Sequence, residues 1–168
     1  MGYQATATHT GHDYSTLVSP VPAKARQTRY VRLAALPSAV PWARRILLHM
    51  LREWHIQGMA DPAALLMSEL VTNAVEASAR RVGRDHDKLP MIGLAIRLTP
   101  ASLVLEVWDA SPLRPVPQDA GIAGDRGRGL ALVDALAEAW GHRAADGGKI
   151  VWCELATTAA SASESAAC

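Results

Sequence analysis

Residues 91–108 read MIGLAIRLTPASLVLEVW, and this stretch sets the fold class. Two runs rich in Ile, Leu and Val, 91–98 and 102–108, flank Thr99-Pro100-Ala101. Apolar runs on either side of so short a turn predict an antiparallel hairpin. A doubly wound parallel sheet fits worse, because its strands are joined through long crossovers rather than tight turns.

On the N-terminal side of this hairpin the periodicity changes from two to about 3.6. Val40, Ala43, Ile46, Leu47, Met50, Leu51 and Trp54 recur at helical spacing, with Ser38 as an N-cap and Gly58 as the expected end. Asp61-Pro62 predicts a second helix start, an N-cap followed by proline at the first helical position. That helix is expected to run to about Arg81, with Leu65, Leu66, Leu70 and Val71 available for burial. Before both helices, Tyr30, Val31, Leu33 and Ala34 suggest a short strand. Gly83 to Pro90 is polar and turn-rich.

On the C-terminal side, Ala110 to Arg126 is a proline- and glycine-bearing loop. Gly127-Arg128-Gly129 then opens an amphipathic helix expected to reach Trp140, with Leu130, Leu132, Val133, Leu136 and Ala137 toward the core. Gly147-Gly148 separates a strand at His142–Ala145 from a last one at Lys149–Leu155. Helices grouped early and antiparallel strands later predict an α+β fold, a two-layer sandwich with a mostly antiparallel sheet covered by helices.

With 168 residues, 49% of them hydrophobic, the chain is long enough for one core and short for two. The expected organisation is a disordered leader at 1–27, one domain at 28–155, and a disordered Ala/Ser-rich tail at 156–168. A net charge of +1 gives no reason to expect nucleic-acid or membrane binding. The basic group Lys24, Arg26, Arg29 and Arg32 reads as a solvated face. Two cysteines, Cys153 in an apolar run and Cys168, make no disulfide framework, and the six histidines have no zinc spacing. No segment approaches the roughly 18 apolar residues of a membrane span. There is no basic start followed by an apolar run of the signal-peptide kind, so a cytoplasmic location is expected.

Three short motifs carry chemistry. In Met67-Ser68-Glu69-Leu70-Val71-Thr72-Asn73-Ala74-Val75-Glu76-Ala77, Glu69 and Asn73 are four residues apart and share one helix face. Taken alone this stripe reads as the solvated side of an amphipathic helix. Yet asparagine is a poor mid-helix residue. Its amide oxygen is a hard ligand that suits Mg²⁺, and a carboxylate one turn earlier suits a general base. In Leu103-Val104-Leu105-Glu106-Val107-Trp108-Asp109 a strand ends in a carboxylate able to accept a hydrogen bond from an adenine amino group. Gly124-Asp125-Arg126-Gly127-Arg128-Gly129-Leu130 leads into a helix whose first N–H groups favour phosphates.

Glu-x-x-x-Asn, a strand-end Asp and Gly-x-Gly-Leu opening a helix, in that order, resemble the GHKL ATPase superfamily. Within it, SELVTNAVEAS at 68–78, LEVWDASP at 105–112, GRGLALVDALAEAWG at 127–141 and GGKIVWCEL at 147–155 are similar to the RsbW-like anti-sigma-factor serine kinases. The resemblance spans roughly 28–155. It implies a compact Bergerat-type fold with a short ATP lid. It also implies ATP-driven phosphorylation of a serine on a small antagonist protein, binding of a sigma factor, and homodimers. Carried over, Glu69 is the catalytic base and Asn73 the magnesium ligand within the ATP site. Asp109 is the adenine-reading aspartate, and Gly127, Gly129 and Leu130 form the phosphate-side turn. Arg126 and Arg128 are added from position and charge as groups able to face the phosphates. Two differences stand out: Asp109 is followed by Ala110-Ser111-Pro112 where many members have Asp-x-Gly, and Ile150 stands where relatives often present a threonine that helps fix the adenine contact. A sensor histidine kinase domain is disfavoured, since no helical hairpin is expected upstream to present a phosphoacceptor histidine, and His49 and His55, on a predicted helix within this domain, read as core or surface residues.

Overall fold

The computed structural model describes residues 25–80, 89–111, 128–145 and 147–157, with side chains omitted for 128–131. The elements in chain order are β1 (Gln27–Ala34), α1 (Ala39–Glu53), a 3₁₀ turn (Gln57–Met59), α2 (Ala60–Ala79), β2 (Met91–Leu98), β3 (Ser102–Asp109), α3 (Arg128–Leu136), β4 (Ala139–Ala145) and β5 (Gly148–Ala156). The strands form one sheet in the order β1-β2-β3-β5-β4, and every neighbouring pair is antiparallel. This is the α+β sandwich the hairpin at 91–108 predicts, with β3 at its centre.

Alternation along each strand sends one set of side chains inward. Ile92, Leu94 and Ile96 of β2, Leu103, Leu105 and Val107 of β3, and Val151, Cys153 and Leu155 of β5 join Leu47 and Leu51 of α1 and Leu66, Met67, Leu70 and Val71 of α2 in one core. Each such side chain contributes about 1.5–3 kcal/mol on leaving water. Burial pushes the Cys153 thiol far above its ordinary range, which makes it an inert core group.

The other face of the sheet is closed by charge. Glu106, 3% exposed, accepts from Arg97 Nε through Oε2 at 2.8 Å and from Arg143 Nη2 through Oε1 at 3.0 Å. The Arg97 guanidinium also lies 5.1 Å from the centre of the Tyr30 ring. The hydrogen bond and charge of Glu106 hold the Arg97 pKa above its ordinary value, against the opposing effect of burial. Trp152, cross-strand partner of Glu106, is among the most buried side chains.

Several element boundaries differ from expectation. Gly58 does not end α1. Trp54 is its C-cap, and His55 adopts φ 58° just beyond. Ile56 N donates to Leu51 O at 2.9 Å and His55 N to Arg52 O at 3.1 Å, the paired bonds of a Schellman motif. Asp61 does not cap α2, because the 3₁₀ turn runs directly into it. The helix starts at Ala60, leaving Asp61 in the first turn, where its charge suits the helix dipole. Ser38 is the N-cap of α1 but makes no side-chain cap bond.

The third helix stops at Leu136 rather than Trp140. Glu138 N already bonds to Glu154 O at 2.9 Å, and Trp140 pairs with Cys153 and donates from Nε1 to Asp134 Oδ1 at 3.0 Å. Ladder bonds and burial of the indole outweigh helical spacing there. β5 continues through Ala156, so strand replaces tail at that position, and Thr157 N bonds to Ala101 O just beyond it. Residues 1–24 of the leader, the 81–88 turn and the tail beyond Thr157 lie outside the described residues, whereas the leader's last residue, Gln27, already begins β1 and Arg26 N bonds to Leu98 O.

His55 is the one non-glycine residue with positive φ among the described residues, and its side chain is exposed. Replacing it with glycine removes a steric cost of roughly 1 kcal/mol. His55→Gly is therefore expected to raise the urea midpoint at an unchanged slope.

Candidate functional site

α2 packs against α1, β3 and α3, which leaves a narrow polar stripe on an otherwise buried helix. Glu69, Thr72 and Asn73 are half-buried on this stripe and Glu76 is exposed. Partial burial pushes the Glu69 carboxyl above its ordinary value. Asn73 Nδ2 is buried without a hydrogen-bond partner, one of four such side-chain atoms among the described residues and the one belonging to this stripe. An unmatched amide N–H costs about 1–3 kcal/mol, and only a hydrogen-bond acceptor would pair it. Nearby, Ser68 Oγ is satisfied by Ala64 O at 2.7 Å.

Asp109 closes β3 in phase with Leu103, Leu105 and Val107, so its carboxylate points to the core side of the sheet. It is 1% exposed. Its Oδ1 accepts from the Ser111 backbone N at 2.8 Å and from Lys149 Nζ at 2.9 Å. Lys149, itself buried, also donates to Ser111 O at 3.3 Å. The Ser111 bond is an Asx-type turn that stiffens the chain where the Asp-x-Gly pattern is missing. Gly148 makes this corner feasible: a Cβ there would lie 1.9 Å from the Asp109 carbonyl oxygen. Gly147, with φ 69°, supplies the left-handed position of the two-residue β4–β5 connection.

The expectation at Ile150 is corrected by register. Lys149 is the cross-strand partner of Asp109, whereas Ile150 pairs with Trp108 and lies on the opposite face. Sequence reading missed Lys149, although a signal was present. In KIVWCEL the lysine falls in phase with Val151, Cys153 and Leu155, so period two alone sends it inward.

Arg126 and Gly127 lie outside the described residues. Arg128, Gly129 and Leu130 form the first turn of α3, which packs on α2. Among the described residues no three His, Cys, Asp or Glu side chains converge on a metal position. A hard cation at Asn73 would therefore complete its shell with phosphate oxygens and water, as magnesium does in nucleotide sites. A separate groove of about 420 Å³ runs along α1, lined by Val40, Pro41, Arg44, Arg45, Leu48 and Arg52. It includes none of Glu69, Asn73 and Asp109.

A five-stranded antiparallel sheet backed by α2 and α3, with a carboxylate ending its central strand, defines an ATP-binding domain of the GHKL type. Residues 33–155 match the family model described as the histidine kinase-like ATPase domain, and the chain belongs to that family. No curated protein matches the chain. Among the described residues no helix is long and apolar enough to cross a membrane.

Removing one member of a buried ion pair strands the other charge, at about 3–5 kcal/mol. Lys149→Ala and Asp109→Ala are each expected to lower the thermal midpoint accordingly, and the double variant by less than the two combined.

Glu69 gives a pH test. Its folded pKa lies above the ordinary value of 4.5, so the folded state holds its proton more tightly than the unfolded state does. Its contribution to stability is fully present below about 4.5 and is lost as pH rises through the folded pKa. Glu69→Gln is expected to unfold later than the wild type at neutral pH, the gap closing as the pH falls toward 4, in parallel denaturant titrations.

Proposed function

We propose that this ATP-binding domain is an RsbW-like anti-sigma factor. It transfers phosphate from Mg-ATP to a serine of a small antagonist protein, and it sequesters a sigma factor in the cytoplasm. The polar stripe of α2 carries this reading. A half-buried carboxylate with a raised pKa is a better proton acceptor than a solvated one. One turn away sits Asn73, half-buried, whose side-chain oxygen is the hard ligand type that suits magnesium.

In the proposed reaction the serine hydroxyl gives its proton to Glu69 as its oxygen bonds to the γ-phosphorus, and ADP leaves with the bridging oxygen. Asn73 would hold the cation, which would supply charge neutralisation when bound, and Asp109 would accept from the adenine amino group. The Gly127–Gly129 turn and the first N–H groups of α3 receive the phosphate chain, with Arg126 and Arg128 supplying charge. Positioning and charge neutralisation account for most of the rate in such transfers.

A second reading is a binding module without transferase activity. Lys149 favours it, because it already occupies one oxygen of the base-reading carboxylate.

Transfer of labelled γ-phosphate to a serine of the cognate antagonist separates the two. Glu69→Ala is expected to lower transfer by about 10²–10⁴-fold while Mg-ATP affinity, read by calorimetry, is retained. Undiminished phosphorylation by that variant removes Glu69 from the mechanism. Absence of both heat and thermal shift at millimolar Mg-ATP supports the binding module.

A further inference from the structure

We propose that the outer flank of α1 is a docking groove for an acidic amphipathic helix of a partner protein. The groove includes none of Glu69, Asn73 and Asp109, so this inference goes beyond the nucleotide reading and stands or falls separately.

The groove has a volume of about 420 Å³ and follows one side of the helix. Val40, Arg44, Leu48 and Arg52 recur every four positions and make a single ridge, with Pro41 and Arg45 beside it. From Val40 to Arg52 this ridge is about 18 Å long, a little over three turns. Val40 and Leu48 are half-buried and form an apolar floor, whereas Arg44, Arg45 and Arg52 are exposed.

Charge decides what fits. None of the three arginines has an ion pair among the described residues. The one acid of α1, Glu53, is outside the groove and already engaged, 3.3 Å from His49 Nε2 and 3.9 Å from Arg29 Nη2. The Arg45 guanidinium lies 5.4 Å from the centre of the Trp42 ring, a contact that positions it beside an indole 54% exposed. An apolar strip edged by three unpaired guanidinium forks suits the opposite pattern, aliphatic side chains flanked by carboxylates. A helix laid along the groove presents that pattern, with anchors three or four residues apart.

Other occupants fit less well. A second copy of α1 would set arginine against arginine. The longer stretches outside the described residues supply no acidic helix. The leader before Ala25 has one acid, Asp13, and the tail beyond Thr157 has one, Glu164. Residues 81–88 set Asp85 and Asp87 among three basic residues, and 112–127 carry three prolines. A membrane face needs apolar groups that stand out from the surface, whereas Val40 and Leu48 are half-buried.

The test uses the full chain and a labelled model peptide of about 20 residues, long enough to be helical alone, with leucine on one face flanked by glutamate. A control peptide has lysine at each glutamate position. Fluorescence anisotropy is expected to give a Kd of about 10–100 μM for the glutamate peptide at low salt, and binding at least about tenfold weaker for the lysine peptide. The glutamate peptide is expected to lose affinity several-fold between about 0.05 and 0.5 M salt. Arg44→Glu/Arg52→Glu is expected to reverse the preference and Arg44→Lys/Arg52→Lys to keep it, with circular dichroism checking the fold of each. Absence of binding, equal binding of the two peptides, or a glutamate-peptide affinity unchanged by the double reversal overturns the proposal. Binding to phosphatidylserine vesicles without binding to the glutamate peptide also overturns it and makes the flank a membrane face. Each of these results leaves the nucleotide reading standing, and failure of Mg-ATP to bind leaves the docking groove standing.

Discussion

A carboxylate lies in the interior at the end of β3 because a cation reaches it from the neighbouring strand. Burying Asp109 without Lys149 would cost several kcal/mol, and the two are brought together by the ladder between β3 and β5. The same pair pins that ladder, since a one-residue slip of β5 would turn Lys149 to the other face and bring Ile150 inward. Three residues earlier on β3, Glu106 repeats the arrangement on the opposite face, held by Arg97 of β2 and Arg143 of β4. The central strand thus carries one enclosed carboxylate per face, each matched by cations from other strands. Hydrophobic burial gives the sandwich its bulk stability, and these two centres contribute to its register.

The architecture was readable in the sequence where a single signal dominated. The turn at Thr99-Pro100-Ala101 left no room for a crossover, and Leu98 and Leu103 do pair across it. Helical spacing placed α1 and α2 correctly. Local end signals failed where longer-range contacts prevailed. Gly58 yielded to a histidine in the left-handed position, and the helix pattern through Trp140 yielded to the ladder with β5. Asp61 was displaced as a cap by a short turn upstream, whose hydrogen bonds no propensity scale contains.

The candidate site is legible in a different manner. Glu69, Asn73 and Asp109 stand out as residue types that fit badly where they occur, namely an asparagine and a carboxylate along a mostly apolar helix and an acid in phase with a core strand. Such misfits are where local rules give way to function. Lys149 escaped notice because its partner lies 40 positions earlier in the chain, and only strand order makes them neighbours. The Arg97–Glu106–Arg143 cluster escaped for the same reason. The helix supporting the site also carries an unmatched amide nitrogen at Asn73.

The position of β5 bears on how the domain is born. It is last in chain order among the described strands, yet it inserts between β3 and β4 and supplies the counter-charge for Asp109. A nascent chain that has emerged only through α3 holds the hairpin and both long helices, but its strand-end carboxylate has no cation and must remain hydrated. Pairing across so long a separation forms late in folding. Half-made chains on the ribosome therefore lack the Asp109–Lys149 pair, and it forms in the same step that brings β5 into the sheet.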